Sequence, residues 1–157
     1  MEAGEIPVVA EPERWTLVFH TKAMSWWASI IACGHYKHVG AFAWIPALKL
    51  WLVYDVKFGG TQIAALPDGP EAKALLGKMI AGNDLMLMQR QKARVYFAPP
   101  LFCAGAISHL LRLPKGALRP DSLWRLCLEH GGEAVRDGTK RESGPRPAST
   151  AAEGRAG

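Results

Sequence analysis

The strongest constraint on this chain is a pair of neighbouring apolar runs, residues 36–45 (YKHVGAFAWI) and 48–56 (LKLWLVYDV), separated only by Pro46-Ala47. Both runs have strand length and are rich in aromatic and aliphatic side chains, which fit a pleated, half-buried surface. They read as a β-hairpin. Pro-Ala is not a favoured two-residue hairpin turn, so a symmetric four-residue loop is an alternative. Either loop, centred on Pro46-Ala47, sets Ile45 opposite Leu48, Phe42 opposite Trp51 and His38 opposite Asp55.

The rest of the chain predicts more strands and several short helices. Residues 14–20 (RWTLVFH) alternate and read as an extended segment. Residues 23–32 read as a helix that Gly34 stops. Residues 61–66 form a further strand, and the turn signal Pro67-Asp68-Gly69-Pro70 leads into a helix over 71–81. Residues 84–88 and 94–98 read as strands on either side of a basic turn, QRQK. The 101–113 stretch carries Cys103, Ala106, Ile107, Leu110 and Leu111 at helical spacing. Pro120-Asp121 opens a last helix to 130, and Gly131-Gly132 ends it. Residues 1–13 read as a loose leader. Residues 133–157, rich in Gly, Pro, Ala and charge, read as a disordered tail. The chain of 157 residues suits one domain, here 14–132, with an α+β architecture and a mainly antiparallel sheet.

Composition excludes several classes. Nineteen Lys and Arg against fourteen Asp and Glu give +5, too weak and too scattered for a nucleic-acid protein. Three cysteines with no paired spacing do not form a disulfide framework and fit a reducing compartment. The first residues are acidic and carry no apolar core, so no signal peptide is expected. The longest apolar runs fall short of a membrane span. Trp26-Trp27 reads as a buried pair, with contact to a membrane surface as the alternative. No cofactor is expected.

Three residues carry chemistry together. Opposed His38 and Asp55 share one sheet face, where the carboxylate fixes the imidazole tautomer and favours the imidazolium. Cys103 stands at a predicted helix start behind Pro99-Pro100. The helix dipole and the backbone N–H groups there favour thiolate, and the same N–H groups can serve an oxyanion. A nucleophile, a base and an orienter are thus present. The alternative reading is a small buried hydrophobe at Cys103 and a structural His–Asp pair in the sheet. Cys33, His35 and His38 make a Cys-x-His-x-x-His cluster, but zinc would need a further ligand such as Cys103, so no metal site is expected. His20 reads as structural, His35 as an exposed loop residue, His109 as partly exposed and Cys127 as core.

The order of a His-Val-Gly strand, an acidic residue on the next strand and a late Cys at a helix start resembles the circularly permuted papain-like (NlpC-type) cysteine hydrolases. Residues 102–114 (FCAGAISHLLRLP) and 118–124 (LRPDSLW) look like the Cys-helix and closing segment of small phage and prophage permutants. Residues 34–39 (GHYKHV) and 52–55 (LVYD) look like their His strand and the strand after it. The resemblance spans roughly 14–130. It implies a permuted papain-like fold, Cys103 as nucleophile, His38 as base and Asp55 as the third polar group. It further implies a thiol hydrolase of peptide, amide or acyl substrates, a cell-wall peptide among them, working in the cytoplasm or a phage particle. Arg119 departs from the pattern, standing where Thr is frequent, and the flanks of Cys103 are more apolar than in many relatives. The alternative function is a non-catalytic phage or prophage accessory module that contacts a partner through Trp26-Trp27.

Overall fold

The structure, a computed structural model, describes residues 11–22, 34–57, 60–92 and 102–135. The predicted helix over 23–32 with Trp26-Trp27 and Cys33, the predicted strand over 94–98, the first ten residues and the chain from 136 lie outside the described residues.

Among the described residues, six strands and three helices follow in the order β1 (Arg14–His20), β2 (His38–Ile45), β3 (Leu50–Lys57), β4 (Gly60–Pro67), α1 (Pro70–Ile80), β5 (Asp84–Gln89), α2 (Cys103–Leu110), α3 (Pro120–Glu129) and β6 (Glu133–Val135). The strands form one sheet in the order β4-β3-β2-β1-β5-β6, and every pairing is antiparallel. The architecture is therefore α+β. β5 lies between β1 and β6. β6 continues the sheet three residues past the expected domain end at 132, and Arg14 of β1 reaches Glu133 at 3.2 Å.

Alternation along the strands gives each face its own core. On one face Trp15, Leu17 and Phe19 of β1, Val39, Ala41 and Ala43 of β2, and Met86 and Met88 of β5 pack against Ile107 of α2 and Leu123 and Cys127 of α3. Phe19, Tyr36 and Trp124 close an aromatic triangle there, with ring centroids 4.9–5.0 Å apart. It ties β1, the chain leading into β2, and α3 together. On the other face Val18, Phe42 and Val53 pack beneath Leu76 and Met79 of α1.

The hairpin is formed, but in a different register from the one expected. Ile45 faces Leu50, Phe42 faces Val53, and Gly40 faces Asp55. The loop comprises residues 46–49. Leu48 N–H donates to the Ile45 carbonyl (3.2 Å) and Lys49 N–H to the Pro46 carbonyl (3.2 Å). Proline's fixed φ suits the first corner position of such a turn rather than the middle of a two-residue loop. Lys49 then closes the loop in the left-handed region at φ 53°. The error is two residues, so every side chain keeps its face. His38 and Asp55 are diagonal neighbours instead of opposed ones.

α2 is shorter than the 101–113 stretch that the periodicity predicts. It ends in a Schellman motif: Leu113 N–H donates to the Ser108 carbonyl and Arg112 N–H to the His109 carbonyl, both at 3.0 Å. Arg112 occupies the left-handed position at φ 53°, where glycine is usual. With no glycine there, the local sequence offers Pro114 as its stop signal, past the point where the helix ends.

Candidate active site

His38 opens β2, Asp55 lies near the end of β3, and Cys103 is the first residue of α2. Antiparallel pairing of β2 with β3 sets the first two at one end of the sheet on the same face. Gly40, the residue in register with Asp55, has no side chain, so the carboxylate reaches across to its diagonal neighbour. Asp55 Oδ1 meets His38 Nε2 at 2.6 Å, and both side chains are largely buried, 13% and 15% exposed. Phe102, extended at φ −135° and ψ 165°, delivers Cys103 to the helix start. There the thiol is in hydrogen-bonding contact with the His38 imidazole. Nε2 is engaged by Asp55, which leaves Nδ1 as the nitrogen available to sulfur. The three residues singled out in the sequence are brought together.

The start of β2 is held to the end of β1. His38 is in register with His20, and the preceding Lys37 N–H donates to the His20 carbonyl at 2.7 Å. Lys37, the residue before β2, is thereby tied to the same β1 residue as His38.

Electrostatics favour an ion pair. Burial alone would depress the His38 pKa, but hydrogen bonds to Asp55 and Cys103 outweigh it and raise the value to about 9. Burial alone would raise the Cys103 thiol. The hydrogen bond and charge of His38, with the N–H groups of Val39 and Ala104, overcome it and hold the thiol below its ordinary value. Asp55 behaves likewise: burial is outweighed by His38 and Lys57, and its carboxyl titrates lower than usual. Cys127 is the contrast. Buried in the core with no such partner, its thiol is pushed up to about 12.

Several supporting residues escaped the sequence reading. His20 lies beside His38 with ring centroids 5.5 Å apart. Burial first, and then repulsion from His38, depress its pKa, so it stands next to the imidazolium as a neutral ring. No turn signal fixes the pairing of β1 with β2, so this juxtaposition could not be read. Lys57 Nζ lies 3.4 Å from Asp55 Oδ2 and donates to Gln62 Oε1 at 3.1 Å. A signal for Lys57 did exist, since a residue two positions beyond Asp55 on a strand shares its face. Asp121, in the first turn of α3, accepts from the N–H of His35 (3.0 Å) and of Tyr36 (3.4 Å) and so anchors the chain that leads to His38. His35 is exposed and His109 partly buried.

Among the described residues no group of three or more His, Cys, Asp or Glu is arranged to hold a metal ion, and no helix is long and apolar enough to cross a membrane. A groove of about 490 Å³ lies at the far end of β2, beside Thr16, Trp44 and Trp51, and holds none of the three site residues. Compared with known protein families, curated proteins and solved structures, the chain matches none.

Proposed function

We propose that this protein is a thiol-dependent hydrolase of permuted papain-like (NlpC-type) fold, with Cys103 as nucleophile, His38 as acid and base, and Asp55 as orienter. The observation that carries the reading is the position of His38, which binds Asp55 through Nε2 at 2.6 Å and stands near enough to the Cys103 thiol to lower its titration. A cysteine serving only as core filler has no need of an imidazole partner. Cys127 illustrates that case in the same chain. The order of elements, His strand before Cys helix, supports the permuted arrangement. The contact also favours catalysis over a non-catalytic phage or prophage accessory module on the same fold.

The chemistry follows from the ion pair. The Cys103 thiolate attacks the carbonyl carbon of an amide, ester or thioester, and a carbon–sulfur bond forms. The N–H groups at the start of α2 lack carbonyl partners within the helix and can stabilise the oxyanion. As the intermediate collapses, the imidazolium of His38 gives its proton to the leaving nitrogen, oxygen or sulfur. Water then attacks the acyl-enzyme, neutral His38 takes its proton, and acid and thiolate are released. Asp55 keeps its charge throughout and holds the ring. The substrate class is a peptide or acyl compound, a cell-wall peptide included, and the protein acts in the cytoplasm or in a phage particle.

The test is reaction with a chromogenic thioester, followed by peptide mapping of the acylated residue. Wild type should give an adduct on Cys103. Cys103→Ala should abolish it while leaving the circular dichroism spectrum unchanged, and His38→Ala should slow acylation by roughly 10²-fold or more. An adduct on Cys33 or Cys127, or undiminished acylation in His38→Ala, overturns the assignment.

A further inference from the structure

We infer that β4 is a docking edge for a second copy of this chain, which pairs with it antiparallel about a twofold axis at Ile63 and joins the two sheets into one. The inference does not depend on the hydrolase reading. Among the described residues β4 forms one edge of the sheet and β6 the other. An open strand edge is a row of unpaired N–H and C=O groups. Folded proteins shield such edges with short strands, charged side chains, proline or bulges. β6 is shielded in this way: it has three residues and carries Glu133, which pairs with Arg14. β4 is not. It runs for eight residues, GTQIAALP, without a charge, and its proline stands at the last position. Its register with β3 is unbroken from the Lys57–Gly60 pair to the Leu50–Pro67 pair.

The hydrogen-bond phase of the β3–β4 ladder fixes which groups face outward. Asp68 N–H donates to the Lys49 carbonyl at 3.4 Å, so Lys49 and Asp68 form a pair of the hydrogen-bonded kind. Bonded and non-bonded pairs alternate along an antiparallel ladder. Gln62, Ala64 and Leu66, which oppose Asp55, Val53 and Trp51, therefore turn their backbone groups toward β3. Thr61, Ile63 and Ala65 turn theirs away, into the open edge. Pro67 falls in the outward set, where a missing N–H costs no ladder bond. The three outward residues are symmetric about Ile63. A second copy centred there sets Ile63 against its own equivalent and Thr61 against Ala65 in both directions, so each of their N–H groups meets a carbonyl. Directly opposed residues also share a face. Ile63 is 66% exposed, with Thr61 and Ala65 exposed beside it. On the opposite face Ala64 and Leu66 are partly buried in the cluster beneath α1. The copy supplies the cover that the Ile63 face lacks, because the two isoleucines meet across the axis with Cα atoms about 5.5 Å apart. Self-pairing of β4 opposes no charges, since residues 60–67 carry none. Such a contact uses the same patch on both copies and closes at two, and the shielded β6 edges stop further growth.

Sedimentation equilibrium of the full chain, from low micromolar to millimolar concentration with a thiol reductant present, tests this. The weight-average mass of wild type should rise toward twice that of the chain. Ile63→Lys sets two like charges against each other across the axis and should weaken association roughly tenfold or more. Ala65→Pro removes an outward N–H and no bond of the β3–β4 ladder. It should weaken association while the circular dichroism spectrum stays that of wild type. Amide exchange at Thr61, Ile63 and Ala65 should be fast in dilute protein and slow down as concentration rises, whereas Gln62, Ala64 and Leu66 should be protected throughout. Wild type that stays monomeric at every concentration, as it would if the edge served a strand of another protein, overturns the inference. So does a dimer that Ile63→Lys and Ala65→Pro leave intact, or one in which exchange at the three outward amides does not respond to concentration.

Discussion

Two cysteines of one chain occupy opposite chemical extremes, and the difference comes from a single neighbour. Cys103 touches an imidazole and faces two backbone N–H groups; Cys127 touches only the core. The pH dependence of alkylation should therefore separate them. The Cys103 thiol titrates below its ordinary value and His38 near 9, so the ion pair exists between those two limits. Below the thiol's depressed pKa the sulfur is protonated and reactivity falls. Above about 9 His38 loses its proton, and the thiolate persists without its acid. Iodoacetamide labelling of Cys103 should thus show an acid limb below that of a free thiol, whereas Cys127 should stay unlabelled until the protein unfolds. Acylation followed by turnover should be bell-shaped, because it also needs the imidazolium. The two limbs belong to the coupled pair and not to either residue alone. In His38→Ala the acid limb should move upward, as the hydrogen bond and charge that lower the thiol are lost while burial stays. An unchanged limb would mean that the helix start alone activates the sulfur. Much of this was legible: thiol, imidazole and carboxylate were each recognisable by type and position. What could not be read was the neutral state of His20, which depends on a strand pairing that no turn announces.

At the scale of the elements, errors in detail did not propagate to the site, and the reason is periodicity. The hairpin slipped by two residues because Pro46 begins the loop instead of centring it, but an even slip preserves the face of every side chain. A slip of one would have sent Asp55 to the opposite face from His38. The helix bearing Cys103 was legible from its spacing of apolar residues, while its end was hidden by Arg112 in a position where glycine is usual. Ser108 was invisible as a structural residue. It is fully buried on α2, donates to the Ala104 carbonyl (2.8 Å) and accepts from the Ala117 N–H (3.0 Å). It thereby pins the segment after the Schellman turn to the helix that positions Cys103. Ser108→Ala leaves a buried N–H at Ala117 with no partner and should destabilise the protein by about 1–3 kcal/mol in denaturant titration. The fault lies one turn or more from the nucleophile. Cys103 labelling in the folded variant should therefore stay within about twofold of wild type, since Ser108 meets the carbonyl of Ala104 and the thiol its N–H. A larger loss would place Ser108 in the positioning of the thiol itself.

For the whole molecule, the site exists only because parts far apart in sequence are held at one end of the sheet, and a carboxylate outside the site does much of the holding. Asp121 leads α3 and receives the N–H groups of His35 and Tyr36; Tyr36 then joins Phe19 and Trp124 in the aromatic triangle. The chain can pass this close to Asp121 because residue 34 is glycine. Its φ is 138°, a conformation L side chains rarely adopt, and a Cβ there would lie 2.1 Å from Asp121 Oδ2. The sequence showed Gly34 as a helix stop and gave no sign of the carboxylate, which lies 86 positions from His35. Gly34→Ala must strain the backbone and displace Asp121, and should destabilise by about 2–4 kcal/mol. The melting temperature should fall by roughly 4 °C or more, at about 2–4 °C per kcal/mol for a chain of this length. Because the displaced carboxylate no longer fixes the approach to β2, labelling of Cys103 at neutral pH should slow as well, unlike in Ser108→Ala. Asp121→Ala gives the control. It loses the two backbone hydrogen bonds but clears the space, so adding Gly34→Ala to it should cost only the backbone strain, markedly less than the same change in wild type. A double-mutant cycle measures that difference. Additive effects would mean that the conformation of Gly34 alone, and not its contact with Asp121, joins the last helix to the strand that carries His38.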